Sequence, residues 1–402
     1  MRVLKLSYEF PPIGGGGAKV VYGLSKELAR LEHNVDLVTM GFQKLPRYEK
    51  ENGVNIYRIP CIRRKEQVCS TPEMASYIFS AVPILLKLLK QKNYLLNHAH
   101  FIFPDGLISY ILKRLTGLPY IVTAHGSDVP EYNPNRFKLG HKLLFPLWRE
   151  VVRNSEQIVC PSESLKSLIL KHCADAKIKL ISNGIDINRF RPNGSRQKSI
   201  LVVSRMFERK GIQYFLKALE GLDSEYKVNI VGDGPYLKNL RQMTDKLKVK
   251  VKFWGWMQNN SPELKELYET SNIFVFPSQS ENFPIVLLEA MAAGMAIITT
   301  SGTGCAEVVA DTALLVEPTN TTAIREALIK LINDPTLRNG LGQAARMRLE
   351  SNFSWTAVAS QYADVYKTCT SARPRHRWQL WAGHMPWLQG WHYWQSRCSR
   401  GK

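Results

Sequence analysis

Residues 278–294 read SQSENFPIVLLEAMAAG and follow the apolar run NIFVFPS at 272–278. A strand buried on both faces is a continuous apolar run, and this one gives way to Pro277, Ser278, Gln279 and Ser280 before Pro284 stands where a helix can begin. Strand, loop and helix in succession form the corner at which an open α/β sheet places ligands, beyond the carboxyl ends of its strands. Two carboxylates stand eight residues apart here, Glu281 in the loop and Glu289 about one and a half turns into the helix. Glu289 is set in apolar sequence, so if buried it requires a partner from the protein or from a ligand. Helix N-terminal amides at Phe283, Pro284, Ile285 and Val286 are expected as donors to an anion or to hydroxyls.

Outward from this corner the elements alternate. Downstream lie a strand at 296–300 and a helix at 335–351; upstream the pattern predicts strands at 200–204, 227–232 and 250–254 with helices at 211–219, 236–246 and 262–270. Further back, strands at 3–7, 35–39, 54–59, 94–100, 120–125 and 157–161 alternate with helices near 75–90, 106–115, 137–154 and 162–172. Alternation of this kind implies parallel sheets covered on both faces, and the linker-like RPNGSRQKS at 191–199 separates two of them. The expected organisation is α/β with two doubly wound domains, 1–190 and 199–352, facing a central cleft; a helix at 353–370 and a tail at 371–402 follow.

Polar residues at strand ends mark the cleft. Gly14–Gly17 follow the first strand, where Gly15, Gly16 and Gly17 allow close backbone approach at a helix N-terminus; no G-x-G-x-x-G and no P-loop Lys-Ser/Thr can be written there. His98, His100, His125 and Asp128 end two further strands, with His125 and Asp128 the better candidates for ligand contact. SRMFERKG puts Arg205 and Lys210 after the first strand of the second domain, where two cations call for an anion such as a diphosphate. Gly232 opens another loop on that edge.

Composition narrows the class. A chain of 402 residues with 45% hydrophobic and 22% charged residues is globular and too long for one ordinary core. Its seven Cys are scattered without zinc spacing, no D-x-D occurs, and no metal site is expected. The opening MRVLKLSYEF reads as a strand rather than a secretory signal, so a cytoplasmic protein is expected. Residues 77–89, YIFSAVPILLKLL, are too short and interrupted to span a bilayer and are expected to form a core helix. A net charge of +20 suggests an anionic partner; without a nucleic-acid motif, a membrane surface or an anionic substrate is preferred over nucleic acid. The tail from 371 holds five of the nine Trp and six cations with no acid, and is expected to be disordered or in peripheral contact with an anionic membrane.

Taken together, PPIGGGG at 11–17, HGSD at 125–128, NGID at 183–186, SRMFERKG at 204–211 and ENFPIVLLE at 281–289 resemble the retaining glycosyltransferases of the family 4 type, over residues 1–366. The resemblance implies a GT-B fold of two Rossmann-like domains, the first binding acceptor and the second a nucleotide-sugar donor, with 353–370 crossing back to the first. It implies Arg205 and Lys210 on the donor diphosphate, Glu281 on the sugar hydroxyls, Glu289 on the ribose, the 284–286 amides on the sugar or phosphate, and donor-side roles for Asn183, His125 and Asp128. It further implies metal-independent transfer with retention to a glycan or lipid-linked acceptor, with the donor as substrate and no other cofactor; a peripheral position at the inner membrane face is expected from the basic excess. A nucleotide-sugar epimerase using Glu281 and His125 as acid and base is the alternative, and incubation with donor alone separates the two. A basic nucleic-acid-binding protein is a third reading, tested by a salt-dependent gel shift.

Overall fold

The computed structural model describes residues 1–371 apart from 67, 133–137, 193, 195 and 259. The basic tail after 371 and two positions of the expected linker therefore lie outside the described residues.

The first sheet comprises β1 (Arg2–Leu6), β2 (Asn34–Met40), β3 (Tyr48–Glu51), β4 (Val54–Ile59), β5 (Leu96–His100), β6 (Tyr120–Thr123), β7 (Gln157–Cys160) and β8 (Ile178–Leu180). Its spatial order is β3-β4-β2-β1-β5-β6-β7-β8. Pairing is parallel except at β3–β4, an antiparallel edge. The sequence reading lacks β3 and β8: YEKE has no apolar residue but its Tyr, and IKL is three residues long. The second sheet, wholly parallel, comprises β9 (Gln197–Val203), β10 (Lys227–Val231), β11 (Val251–Gly255), β12 (Ser271–Phe276), β13 (Ala296–Thr300) and β14 (Leu314–Val316), in the order β11-β10-β9-β12-β13-β14.

Helices cover both sheets: α1 (Gly16–Arg30), α2 (Thr71–Gln91), α3 (Leu107–Thr116), α4 (Lys138–Asn154) and α5 (Glu163–His172) on the first, and α6 (Ile212–Ala218), α7 (Leu237–Gln242), α8 (Pro262–Thr270), α9 (Ile285–Ala292), α10 (Gly304–Val309), α11 (Thr321–Asn333) and α12 (Pro335–Asn352) on the second. Capping residues fix where several begin: Ser162, Ser261, Asn320 and Asp334 each accept the amide three residues on, at 3.2, 3.2, 2.9 and 2.8 Å. β12 is buried throughout and stops at Phe276, two residues before the expected end, because Pro277 has no amide to continue the ladder. In α9, Leu287, Leu288 and Met291 are fully buried, each stabilising the second domain by roughly 1.5–3 kcal/mol.

One domain boundary differs from expectation. Ile185 and Phe190, assigned by the sequence to the first domain, pack in the second domain's core with Leu288 and Tyr268. The last helix, α13 (Trp355–Ser371), returns to the first domain and buries Val358, Tyr362 and Tyr366 against α1 and the sheet. Residues 77–89 belong to a longer helix than expected and are only partly core: α2 buries Tyr77, Ala81, Leu85 and Leu88 but leaves Phe79 80% exposed.

Candidate active site

The chain runs from β9 outward through β10 to β11 and then crosses to β12 on β9's other side. Loops leaving β9 and β12 therefore diverge, and the crevice between them is the switch point where doubly wound sheets bind ligands. Glu208–Lys210 forms a short 3-10 turn that closes on Gly211 at φ 72°, and a Cβ there would lie 2.0 Å from the Pro277 carbonyl oxygen. The two loops are thus held against each other, with the Gln279 amide donating to the Arg209 carbonyl at 2.9 Å.

That contact brings together two residues that the sequence places 71 apart. Lys210 forms a buried ion pair with Glu281, and the Ser278 hydroxyl donates to the same carboxylate at 2.6 Å. Burial pushes the Lys210 ammonium down from its ordinary value, while the Glu281 charge opposes this. Arg205 stands at the exposed rim with its guanidinium 5.8 Å from the Phe207 ring centre. Gly232, at φ 132°, is required by packing: a Cβ would meet the Ser204 carbonyl oxygen at 1.8 Å.

Glu289 is almost completely buried, and its partners are protein groups. Tyr268 donates its hydroxyl at 2.9 Å, Arg189 lies at 3.3 Å, and Lys19 reaches across the cleft from α1 to 3.9 Å. Burial, then the Glu289 charge, pushes the Tyr268 hydroxyl well above its ordinary value, so it remains a donor. At the head of α9 the amides of Ile285 and Val286 have no residue four back in the helix to bond. Pro284 corrects the sequence reading, since it has no amide; its carbonyl instead accepts from Leu287 at 3.1 Å.

In the first domain the glycine loop divides its roles. A Cβ on Gly15 or Gly16 would meet nothing within 4 Å, whereas one on Gly17 would lie 2.6 Å from the Phe101 ring. Gly15 and Gly16 thus face open space and Gly17 serves packing. The Asp128 carboxylate, expected on the donor, is turned into its own loop, accepting the amides of Ile102 at 2.7 Å, Gly126 at 2.9 Å and His125 at 3.1 Å. His125 is half-buried, its Nε2 3.2 Å from Nδ1 of the buried His100. His98 bridges Tyr366 at 2.6 Å and Thr123 at 2.8 Å, tying the sheet to α13. Among the described residues no group of three or more His, Cys, Asp and Glu could hold a metal ion.

Contacts between the domains fix the width of the cleft. Asn282, between the two glutamates, accepts from Ser162 at 2.5 Å and donates to the His125 carbonyl at 3.2 Å. Asn183 donates to the Phe283 carbonyl at 3.5 Å. Glu307 of α10 accepts the Glu163 and Ser164 amides at 2.7 and 3.1 Å, a carboxylate on the N-terminus of α5.

Two family models cover this architecture, Glycosyltransferase Family 4 over residues 14–189 and Glycosyl transferases group 1 over 185–348. The chain is a family 4 type glycosyltransferase of the GT-B fold. It is 29% identical over 394 residues to an uncharacterized glycosyltransferase of Methanocaldococcus jannaschii, covering 91% of this chain and 98% of the relative. It is 26% identical over 310 residues to the Escherichia coli UDP-Gal:alpha-D-GlcNAc-diphosphoundecaprenol alpha-1,3-galactosyltransferase, covering 70% of this chain and 77% of the relative. The sucrose-phosphate synthase of Thermosynechococcus elongatus shares the fold with a TM-score of 0.79 at 21% identity, over 93% of this chain and all of that one.

Sequence reasoning about the glycosyltransferase missed Ser278, Tyr268, Arg189 and Asn282. Ser278 and Asn282 carried a local signal, polar residues in or beside the motif; Tyr268 and Arg189 reach Glu289 only through the tertiary fold. The three imidazoles carry a pH prediction. Burial keeps His98 and His100 well below their ordinary value and His125 down to about 3. An unfolded imidazole takes up a proton near 6.5 and these do not, so each costs the folded state about 1.4 kcal/mol per pH unit as pH falls below that value. The histidine contribution to the unfolding free energy therefore falls below pH 6.5, opposed by the buried Asp128, which burial pushes up to about 6, and His125→Gln should remove about 1.4 kcal/mol per unit from that histidine slope. A slope unchanged in the variant would show His125 protonated in the fold.

Proposed function

We propose that the glycosyltransferase moves a sugar with retention from a nucleotide-sugar donor to a glycan or lipid-linked acceptor, without a metal. The supporting observation is the Lys210–Glu281 pair at the switch point, with Arg205 at its rim and the α9 amides beside it. As the anomeric C–O bond breaks, its electron pair passes to the phosphate oxygen. Lys210 and Arg205, already in place, stabilise that charge without reorganisation. The acceptor oxygen bonds the same face of the sugar while the leaving phosphate takes its proton, so no protein base is required and Glu281 and Glu289 act as binding carboxylates. His125, whose carbonyl accepts from Asn282 between the two glutamates, keeps the donor-side role that the resemblance implies.

The acceptor class rests on relatives of polysaccharide and glycolipid synthesis, among them the galactosyltransferase whose name specifies a UDP-sugar and a diphosphoundecaprenol acceptor. A cytoplasmic location is supported by the free thiols, including buried Cys69, Cys160, Cys173 and Cys305.

Thermal shift against UDP-, GDP- and ADP-sugars should raise stability for the true donor alone, and the anomeric configuration of the product reports retention. An inverted product overturns the mechanism. Exhaustive chelation should leave transfer intact, because Lys210 and Arg205 supply the countercharge; complete loss restored by Mg²⁺ or Mn²⁺ would sink the metal-free reading.

A further inference from the structure

Helix α2 spans 21 residues and is long and apolar enough to cross a membrane, yet only 28% of its apolar window is buried. Its inner face, Tyr77, Ala81, Leu85 and Leu88, packs on the first sheet, so the folded helix can only lie along a surface. The outward face at helical spacing is Ala75, Phe79, Pro83 and Leu86, uncharged until the exposed Lys90 in the last turn; Phe79 and Pro83 are exposed, while Leu86 and the flanking Val82 are partly buried against the core. An ordinary surface helix does otherwise: α11 turns Glu326 and Lys330 to solvent.

Beside its first turns runs the loop IRRK at 62–65, held by the Ile62 amide on the Ser76 hydroxyl at 3.0 Å and the Arg64 amide on Glu73 at 2.7 Å. Ile62 and Val68 are 56% and 52% exposed there, and Arg64 and Lys65 are exposed with them. Between 61 and 92 six basic residues (Arg63, Arg64, Lys65, Lys87, Lys90, Lys92) stand against two acids, Glu66 and Glu73. Glu73 is buried, spent on the Ser70 and Arg64 amides.

We propose that this outward face of α2, with its basic loop, docks on an anionic lipid bilayer. Apolar side chains along one side with cations at both ends complement acyl chains and anionic headgroups together. A protein groove would satisfy the apolar stripe but gives no reason for the depletion of acids around it. The loop also meets the cleft, since the Gly14 amide donates to the Glu66 carbonyl at 2.9 Å. A bilayer against α2 thus lies beside the glycine loop, on the acceptor side. The placement builds on the lipid-linked acceptor proposed above, but its test reads binding and not transfer.

The test is co-sedimentation of the full chain with vesicles of phosphatidylcholine alone or with phosphatidylglycerol. Binding is expected only with phosphatidylglycerol, and Phe79→Glu/Leu86→Glu should weaken it by about tenfold or more. Arg64→Ala/Lys65→Ala should weaken it at low salt and flatten its salt dependence. Phe79→Ser, at so exposed a position, serves if the double variant fails to fold. The docking surface is overturned if the wild type ignores phosphatidylglycerol, or if the α2 variants bind undiminished while a chain ending at Ser371 loses binding. It is overturned equally if the α2 variants dissociate a lipid-free dimer, which assigns the face to a second copy. Transfer to a detergent-dispersed lipid acceptor, assayed without vesicles, judges the acceptor reading separately.

Discussion

Lys210→Ala is expected to lower turnover by about a hundredfold and to destabilise the fold, whereas Arg205→Ala lowers turnover by a similar factor with stability unchanged. On the proposed reading both remove a cation from the leaving diphosphate, but Lys210 is buried in an ion pair with Glu281 and Arg205 is exposed. Its loss leaves Glu281 charged, half of a broken buried pair, at a cost of about 3–5 kcal/mol. Arg205 is exposed, so its charge is already solvated in the fold and its loss costs little stability. The double variant Lys210→Met/Glu281→Gln should then recover most of the lost stability and none of the activity, because a neutral pair needs no counter-charge. Urea unfolding alongside steady-state kinetics separates the terms. Turnover within threefold of the parent in both single variants would remove the diphosphate role.

The second large effect concerns the two glutamates, which should fail differently. Glu289 is fixed by Tyr268 and Arg189, and on the proposed reading it meets the ribose, at a distance from the reacting carbon, in the same way before and during transfer. Losing such uniform binding raises the donor KM and spares turnover. A hydrogen bond to a charged group contributes roughly 1.5–3 kcal/mol, so Glu289→Gln should raise KM by about tenfold or more. Tyr268→Phe should shift KM in the same direction by less, because it frees the carboxylate without removing it. On the same reading Glu281, held by Lys210 and Ser278, faces the sugar as its ring and charge change. Its contacts strengthen in the transition state, and Glu281→Gln should lower turnover by about a hundredfold. Equal KM effects with turnover untouched in both would place Glu281 away from the reacting centre.

The sequence by itself determined the α/β alternation, the two-domain division and the strand–loop–helix corner with its two carboxylates. These are local properties: apolar runs, the Pro and Gly that end them, and the register of residues within one element. Partners are not local. Lys210 meets Glu281 because β9 lies beside β12, and that neighbourhood is set by how the whole sheet is wound. Tertiary packing likewise brings Arg189 and Tyr268 to Glu289, and the contact between the domains brings Asn282 to Ser162. Only tertiary structure could turn Asp128 into its own loop, since a carboxylate at a strand end serves a ligand or its backbone with the same residues around it. It also decided the fate of 77–89: an apolar run tells that a helix avoids water, and the packing shows that one face of α2 still meets it.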